Sequence, residues 1–166
     1  MPKCDNQTYI SDLIMGEKGE IECFPLLEKT FGSLKRTKRY DRFDYMNKNS
    51  IIELKTRNCF SDSFDNDGGI MFNYSKIEKM KNNNDKRDTY FAFNCIDGLF
   101  YWKYDEKTFT TGMGGRKDRG CKEYRLMAKV KSKDMICIFK KKPDFKPYEK
   151  PKPLDDFLLM SSDDEN

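Results

Sequence analysis

The 166-residue sequence contains no histidine. That absence excludes Ser/His/Asp and Cys/His hydrolysis, histidine-ligated zinc and His-based nuclease motifs, because each loses an essential group. Hydrolytic chemistry would have to run on carboxylates, Lys, Tyr, Cys or Ser. No apolar run approaches the ~20 residues that span a bilayer, and Met1-Pro2-Lys3-Cys4-Asp5 lacks the apolar stretch of a secretory signal. A soluble, intracellular protein without a membrane partner is expected. The six cysteines (Cys4, Cys23, Cys59, Cys95, Cys121 and Cys137) include no CxxC pair. They read as reduced, mostly buried thiols rather than a zinc site or a disulfide scaffold.

What is present is charge and aromatic surface: 36% of residues are charged and 14% aromatic, with 13 Phe and 9 Tyr. Such a chain has room for one folded domain with a modest core and solvated ends. The net charge of +4 hides a polarity, because residues 154–166 hold five acids and no base and leave the preceding body at +9. Between body and tail, residues 140–153 carry four of the six prolines among lysines. Proline lacks the amide donor and favours extended backbone, so this stretch reads as a linker. The expected organisation is a domain over 1–139, a Lys/Pro-rich linker over 140–153 and a disordered acidic tail over 154–166. Leu154-Asp155-Asp156-Phe157-Leu158-Leu159-Met160 mixes acids with an apolar cluster, and acids follow Ser161 and Ser162. The tail is either a docking peptide for a protein partner, open to phosphorylation, or a solubilising terminus that shields the basic body.

Apolar periodicity supplies the elements. Ile21, Phe24, Leu27 and Phe31 share a helical stripe bracketed by Gly16 and Gly32, so a helix is expected over 17–31, with a kink or stop at Pro25. Residues 42–46 and 51–57 read as antiparallel strands joined through Asn47-Lys48-Asn49-Ser50. Ser75-Lys76-Ile77-Glu78 reads as a capping box opening a helix over 75–83. Further strands are expected over 89–96, 99–104, 123–130 and 135–139, with Asp97-Gly98 as a tight turn. The sum is an α/β fold, a mixed central sheet flanked by helices.

Within the second strand, Glu53 and Lys55 are two residues apart and share a face. A hairpin closing at Lys48-Asn49 sets Asp44 opposite Glu53, so two carboxylates meet beside one lysine. Two hard oxygens, with a backbone carbonyl such as that of Leu54, suit a Mg²⁺ ion that keeps several waters, as phosphodiester chemistry requires. Lys55 would orient or help deprotonate the attacking water, or neutralise charge on the transition state. Two other acid-x-Lys triplets, at Asp105 and Asp144, fall in an expected turn and in the linker, whereas Glu53-Leu54-Lys55 alone lies in an apolar strand directly after an acid-bearing one. A surface ion pair on an edge strand is the plainer account of the same residues.

Arg42-Phe43-Asp44 with Ile51-Ile52-Glu53-Leu54-Lys55-Thr56-Arg57 resembles the PD-(D/E)xK nuclease-like family, which includes restriction endonucleases and Holliday-junction resolvases. The order of elements over about 16–104 is also similar: a helix bearing a Glu, a hairpin, then a helix contributing Lys, Gln or Tyr. The resemblance implies a restriction-endonuclease-like fold, Asp44 and Glu53 as metal ligands and Lys55 as catalytic lysine. It further implies Glu20 as an outer ligand and Lys76 or Tyr74 as phosphate or water contacts. Glu20 is preferred over Glu22 because it shares a face with Phe24, Leu27 and Phe31; Glu17, one turn earlier, is the alternative. The chain departs from the family in placing Phe43, where proline is common, before Asp44, and Asp41 is a rival carboxylate. The run Tyr90-Phe91-Ala92-Phe93 through Tyr104 looks like versions of this fold encoded by large DNA viruses, which would put the protein in the cytoplasm or nucleus of an infected host cell.

The remaining candidates concern nucleic acid. Lys35, Arg36, Lys38 and Arg39 form the densest basic cluster of the body, either a solvated loop or a clamp on a phosphate backbone. The stretch 111–120 is glycine-rich and basic but lacks the Gly-Lys-Ser/Thr of a phosphate-binding P-loop. A long hairpin is its plain reading, and on a nuclease Arg116, Lys117 and Arg119 would touch DNA, as would Arg57 and Tyr74. Asp65-Asn66-Asp67-Gly68 fails as a calcium loop because its first and twelfth positions are Ser63 and Tyr74. Tyr101, Trp102 and Tyr104 read as strand packing rather than base stacking. The expected function is a DNA endonuclease using Mg²⁺, with Mn²⁺ as a substitute, and symmetric cutting of two strands would favour a homodimer. The alternative is a non-catalytic DNA-binding or assembly protein on the same scaffold, whose acidic tail docks a partner.

Overall fold

The computed structural model describes residues 6–38, 41–82, 84–115 and 124–142. In chain order the elements are α1 (Asn6–Phe31), β1 (Lys35–Arg36), β2 (Tyr45–Met46), β3 (Ser50–Thr56), β4 (Ile70–Asn73), α2 (Ser75–Lys81), β5 (Asp88–Cys95), β6 (Gly98–Lys103), β7 (Thr110–Gly114), β8 (Arg125–Val130) and β9 (Ile136–Lys140). They build a six-stranded mixed sheet in the order β1-β2-β3-β5-β6-β9 and a three-stranded antiparallel sheet in the order β4-β8-β7. The β3–β5 pair is parallel and sits in the centre of the large sheet. Both faces of a central parallel pair are covered, which is why Ile51-Ile52 and Phe91-Ala92-Phe93 are continuously apolar instead of alternating.

Side-chain alternation divides the core in two. On one face Ile52, Leu54, Ala92 and Leu99 pack under Cys23 and Leu27 of α1. On the other, Ile51, Phe91, Phe93 and Trp102 meet Ile70 and Phe72 of β4, Ile77 of α2, and Ala128 and Val130 of β8. Phe72 stacks on Phe91 at 4.4 Å, and Trp102 lies 5.6 Å from Phe91 and donates its indole N–H to Thr108 Oγ1 at 2.9 Å. Burying one such ring contributes about 1.5–3 kcal/mol. The expected packing role of Trp102 and its neighbours holds.

The α/β class and mixed sheet agree with the sequence reading, but a second sheet replaces a helix layer on one face. β4 is only four residues long and β7 carries two glycines, so neither is visible as a strand until it pairs with β8. α1 starts at Asn6 instead of 17, because Gly16 costs a helix only about 1 kcal/mol. It also runs through Pro25, which is exposed, so the lost hydrogen bond falls on the solvent side. The capping box does not form: Tyr74 is already helical and the Ser75 amide donates to Asn73 Oδ1 at 3.1 Å. The β5–β6 loop is Ile96-Asp97, one residue earlier than read, since Cys95 pairs with Gly98. Asp97 instead accepts from the Ser61 amide and hydroxyl at 2.8 and 2.6 Å and fastens the loop after β3. No helix among the described residues is long and apolar enough to cross a membrane.

Two glycines of α1 have opposite meanings. A Cβ on Gly16 would meet nothing within 4 Å, whereas one on Gly19 would lie 2.0 Å from Thr56 Oγ1 and 3.2 Å from Asn94 Nδ2. Gly19 lets α1 press against β3. Gly16→Ala is therefore expected to stabilise the fold by about 0.5–1 kcal/mol, and Gly19→Ala to destabilise it by about 1–3 kcal/mol through overpacking. Urea melts followed by the emission of the single, buried Trp102 check both signs.

Candidate active site

The β2–β3 ladder pairs Tyr45 with Ile52 and Met46 with Ile51. The regular register stops there: the Asp44 amide donates to Ile52 O at 3.1 Å, so Asp44 shares Ile52 with Tyr45 and does not stand in register opposite Glu53 as expected. β2 then ends, and its last rung is a side chain: the Leu54 amide donates to Asp44 Oδ2 at 2.8 Å. The expected hairpin is fixed at its turn by Asn47, whose Oδ1 accepts from the amides of Asn49 and Ser50 at 2.9 and 2.8 Å.

Glu53 is 1% exposed. A carboxylate so placed has lost most of its hydration and needs opposite charge in contact. Lys55 Nζ lies 2.5 Å from Glu53 Oε1, and Lys76 Nζ of α2 lies 3.0 Å from Oε2. Lys76 also donates to the Arg42 carbonyl at 2.5 Å and stands 5.8 Å above the Phe43 ring. The Lys55 contact is an ion pair without hydrogen-bond alignment, so Glu53 Oε1 is a buried oxygen with no hydrogen bond. The Lys55 ammonium balances the charge of this oxygen, so a hard cation on Oε1 would take the place that Lys55 holds.

Asp44 stands just before β2, and its carbonyl accepts from the Thr37 amide at 2.9 Å. Burial, and then the neighbouring Glu53 charge, push its carboxyl up to about 6, against the lowering pull of the Leu54 amide and Lys55, while Glu20 pushes it up slightly. A cleft of about 670 Å³ opens beside it between α1 and the β1 segment, walled by Tyr9, Leu13, Glu17, Glu20, Arg36 and Lys38. Glu20 is held there by an ion pair with Arg36, and its backbone carbonyl accepts from the Tyr45 hydroxyl at 3.3 Å.

The structure thus brings Asp44, Glu53, Lys55 and Lys76 together, with Glu20 on the adjoining cleft. Among the expected nucleic-acid contacts, Lys35 and Lys38 are exposed. Arg36 is engaged with Glu20. Arg57 donates to the carbonyls of Thr56 and Met71 at 3.3 and 3.2 Å, and the Tyr74 ring packs 6.4 Å from Phe109. Arg39, Arg116, Lys117, Arg119, residues 143–153 of the expected linker and the tail lie outside the described residues. Tyr9 and Asp12 also line the cleft and were not foreseen. The signal was the Ile10, Leu13, Ile14 spacing, which extends the helix toward the N-terminus. Among the described residues no three Cys, Asp or Glu side chains converge on one point. Comparison with protein-family models, with curated proteins and with solved structures finds no match to this chain.

The elevated Asp44 carboxyl has a consequence for stability. Its folded value near 6 exceeds the ordinary one, so its contribution is fully present below about pH 4 and is lost as pH rises through about 6. Asp44→Asn keeps an acceptor oxygen for the Leu54 amide and removes the charge. In EDTA this variant is expected to exceed the wild type in stability by roughly 1–3 kcal/mol at pH 7–8. The gap should close as pH falls from 6 toward 4, which denaturation curves at stepped pH would read.

Proposed function

We propose that the protein is a metal-dependent DNA endonuclease with a restriction-endonuclease-like site. The observation that carries this reading is that Asp44, whose carboxylate accepts from the Leu54 amide, feels the charges of Glu53 and Lys55, while Lys55 is ion-paired with Glu53 and one buried Glu53 oxygen has no hydrogen bond. Asp44, Glu53 and the Leu54 carbonyl would hold Mg²⁺ or Mn²⁺, with Glu20 as an outer partner through water. A divalent cation supplies charge neutralisation at the scissile phosphate and a more acidic water.

The chain's own residues do the rest. Lys55 Nζ orients the attacking water and offsets charge that builds on the phosphate oxygens. Lys76 holds the second Glu53 oxygen and so fixes the carboxylate's direction. Exposed Lys35 and Lys38 beside the cleft attract the phosphate backbone. Asp44 has to be ionised to serve as a ligand, so protons compete with the metal for it and cleavage falls as pH is lowered.

One observation favours a second reading. Glu53 is already neutralised by two lysines, which suits a DNA-binding or assembly scaffold whose ion triad is structural. A panel of linear, nicked, flapped and four-way DNA substrates, with Mg²⁺, Mn²⁺ or EDTA, separates the two. Cutting that needs metal and falls about a hundredfold or more in Glu53→Gln and in Lys55→Ala, with DNA retention unchanged, is the result expected. Folded protein that binds DNA and cuts none of the substrates would establish the scaffold instead.

A further inference from the structure

Beyond the end of β3 the chain keeps running alongside β5. The Arg57 amide donates to Asn94 O at 2.8 Å, and the Ile96 amide donates to Cys59 O at 3.0 Å. This brings Cys59 next to Cys95, the last residue of β5, and the Cys59 side chain packs against the buried cluster that contains Cys95. Each thiol is the first influence on the other's proton affinity. Neighbouring strands lie about 4.8 Å apart, and disulfides span Cα separations of roughly 4.4–6.8 Å. The Ile96–Cys59 backbone hydrogen bond brings the two cysteines into that neighbourhood.

We propose that Cys59 and Cys95 are a redox pair that hydroperoxides close into a disulfide. The two members have different environments. Cys59 is half-buried and so within reach of a small oxidant, whereas Cys95 is 1% exposed. The Cys95 thiol beside it and the nearby Arg57 guanidinium hold Cys59 below the usual thiol range, while Cys59 and burial push Cys95 well up. Cys59 is the attacking sulfur and Cys95 the resolving one. The Cys59 thiolate takes one oxygen from the peroxide, the O–O bond breaks, and water or an alcohol leaves with the accompanying proton. Cys95 sulfur then displaces the hydroxyl from the Cys59 sulfenic acid, and its own proton leaves with that hydroxyl as water. Two thiols lose two electrons and the peroxide gains them.

Among the described residues the other cysteines stand elsewhere: Cys23 is on α1, across the large sheet, and Cys137 is on edge strand β9. The new bond would close a loop of roughly 36 residues and tie the segment that follows Glu53 and Lys55 to the β5–β6 loop, which Ser61 and Asp97 already fasten.

The test uses the full chain, treated with a small excess of hydrogen peroxide, blocked with N-ethylmaleimide and mapped as unreduced peptides. The expected result is a Cys59–Cys95 cross-link, a loss of two of the six alkylatable thiols, reversal by dithiothreitol and a melting temperature raised by several degrees. In Cys95→Ala the Cys59 sulfenic acid should persist and be captured by dimedone. In Cys59→Ser the peroxide should leave Cys95 alkylatable after unfolding. Linkage of either cysteine to Cys4, Cys23, Cys121 or Cys137 would overturn the assignment. So would conversion of Cys59 to its sulfinic acid with Cys95 still free, or survival of all six thiols.

Discussion

A carboxylate buried in the middle of a sheet has to be answered by positive charge, and Glu53 sets that demand for this fold. Stripping water from an ion costs several kcal/mol unless partners replace it. Lys55 answers from the same strand and Lys76 from α2. The second answer is restrictive: α2 must present Lys76 to the strand while its neighbour Ile77 enters the aromatic core. Lys76 also engages the Arg42 carbonyl, which orders the chain on its way into Asp44. One charge therefore fixes α2, the lead into β2 and the centre of β3 relative to one another.

The two faces of the large sheet solve different packing problems. On one, aromatic rings from both sheets interlock around Phe72, Phe91 and Trp102. On the other, a helix must come close enough to bury small and medium side chains, and Gly19 against Thr56 permits the approach. The site lies where these arrangements meet. Glu20 comes from the helix side and Glu53 with Lys76 from the other, and Asp44 feels both acids.

The hairpin was legible because its register is a local property. The polar turn over 47–50 and the residues of 51–54 set Tyr45 against Ile52 and Met46 against Ile51, which brings Asp44 within reach of Leu54. The Glu53–Lys55 pair followed from the two-residue period of a strand. Lys76 entered only through family resemblance, as a phosphate or water contact; its place on Glu53 is decided by packing across 23 positions of sequence. β4 and β7 were invisible for the same reason, since neither has strand character without β8. Nor does a sequence tell that the Arg57 guanidinium will reach the Met71 carbonyl or that the Tyr74 ring will pack against Phe109.

Asp44 has two duties that share one atom. Its Oδ2 completes the β2–β3 ladder at Leu54, and the same carboxylate belongs to the acidic pair. A cation that draws that oxygen away loosens the last rung of the sheet, and whatever frays the rung swings the carboxylate out of the site. Charge state and strand register are here a single mechanical coordinate, and the Leu54 amide senses the chemistry of a residue ten positions earlier.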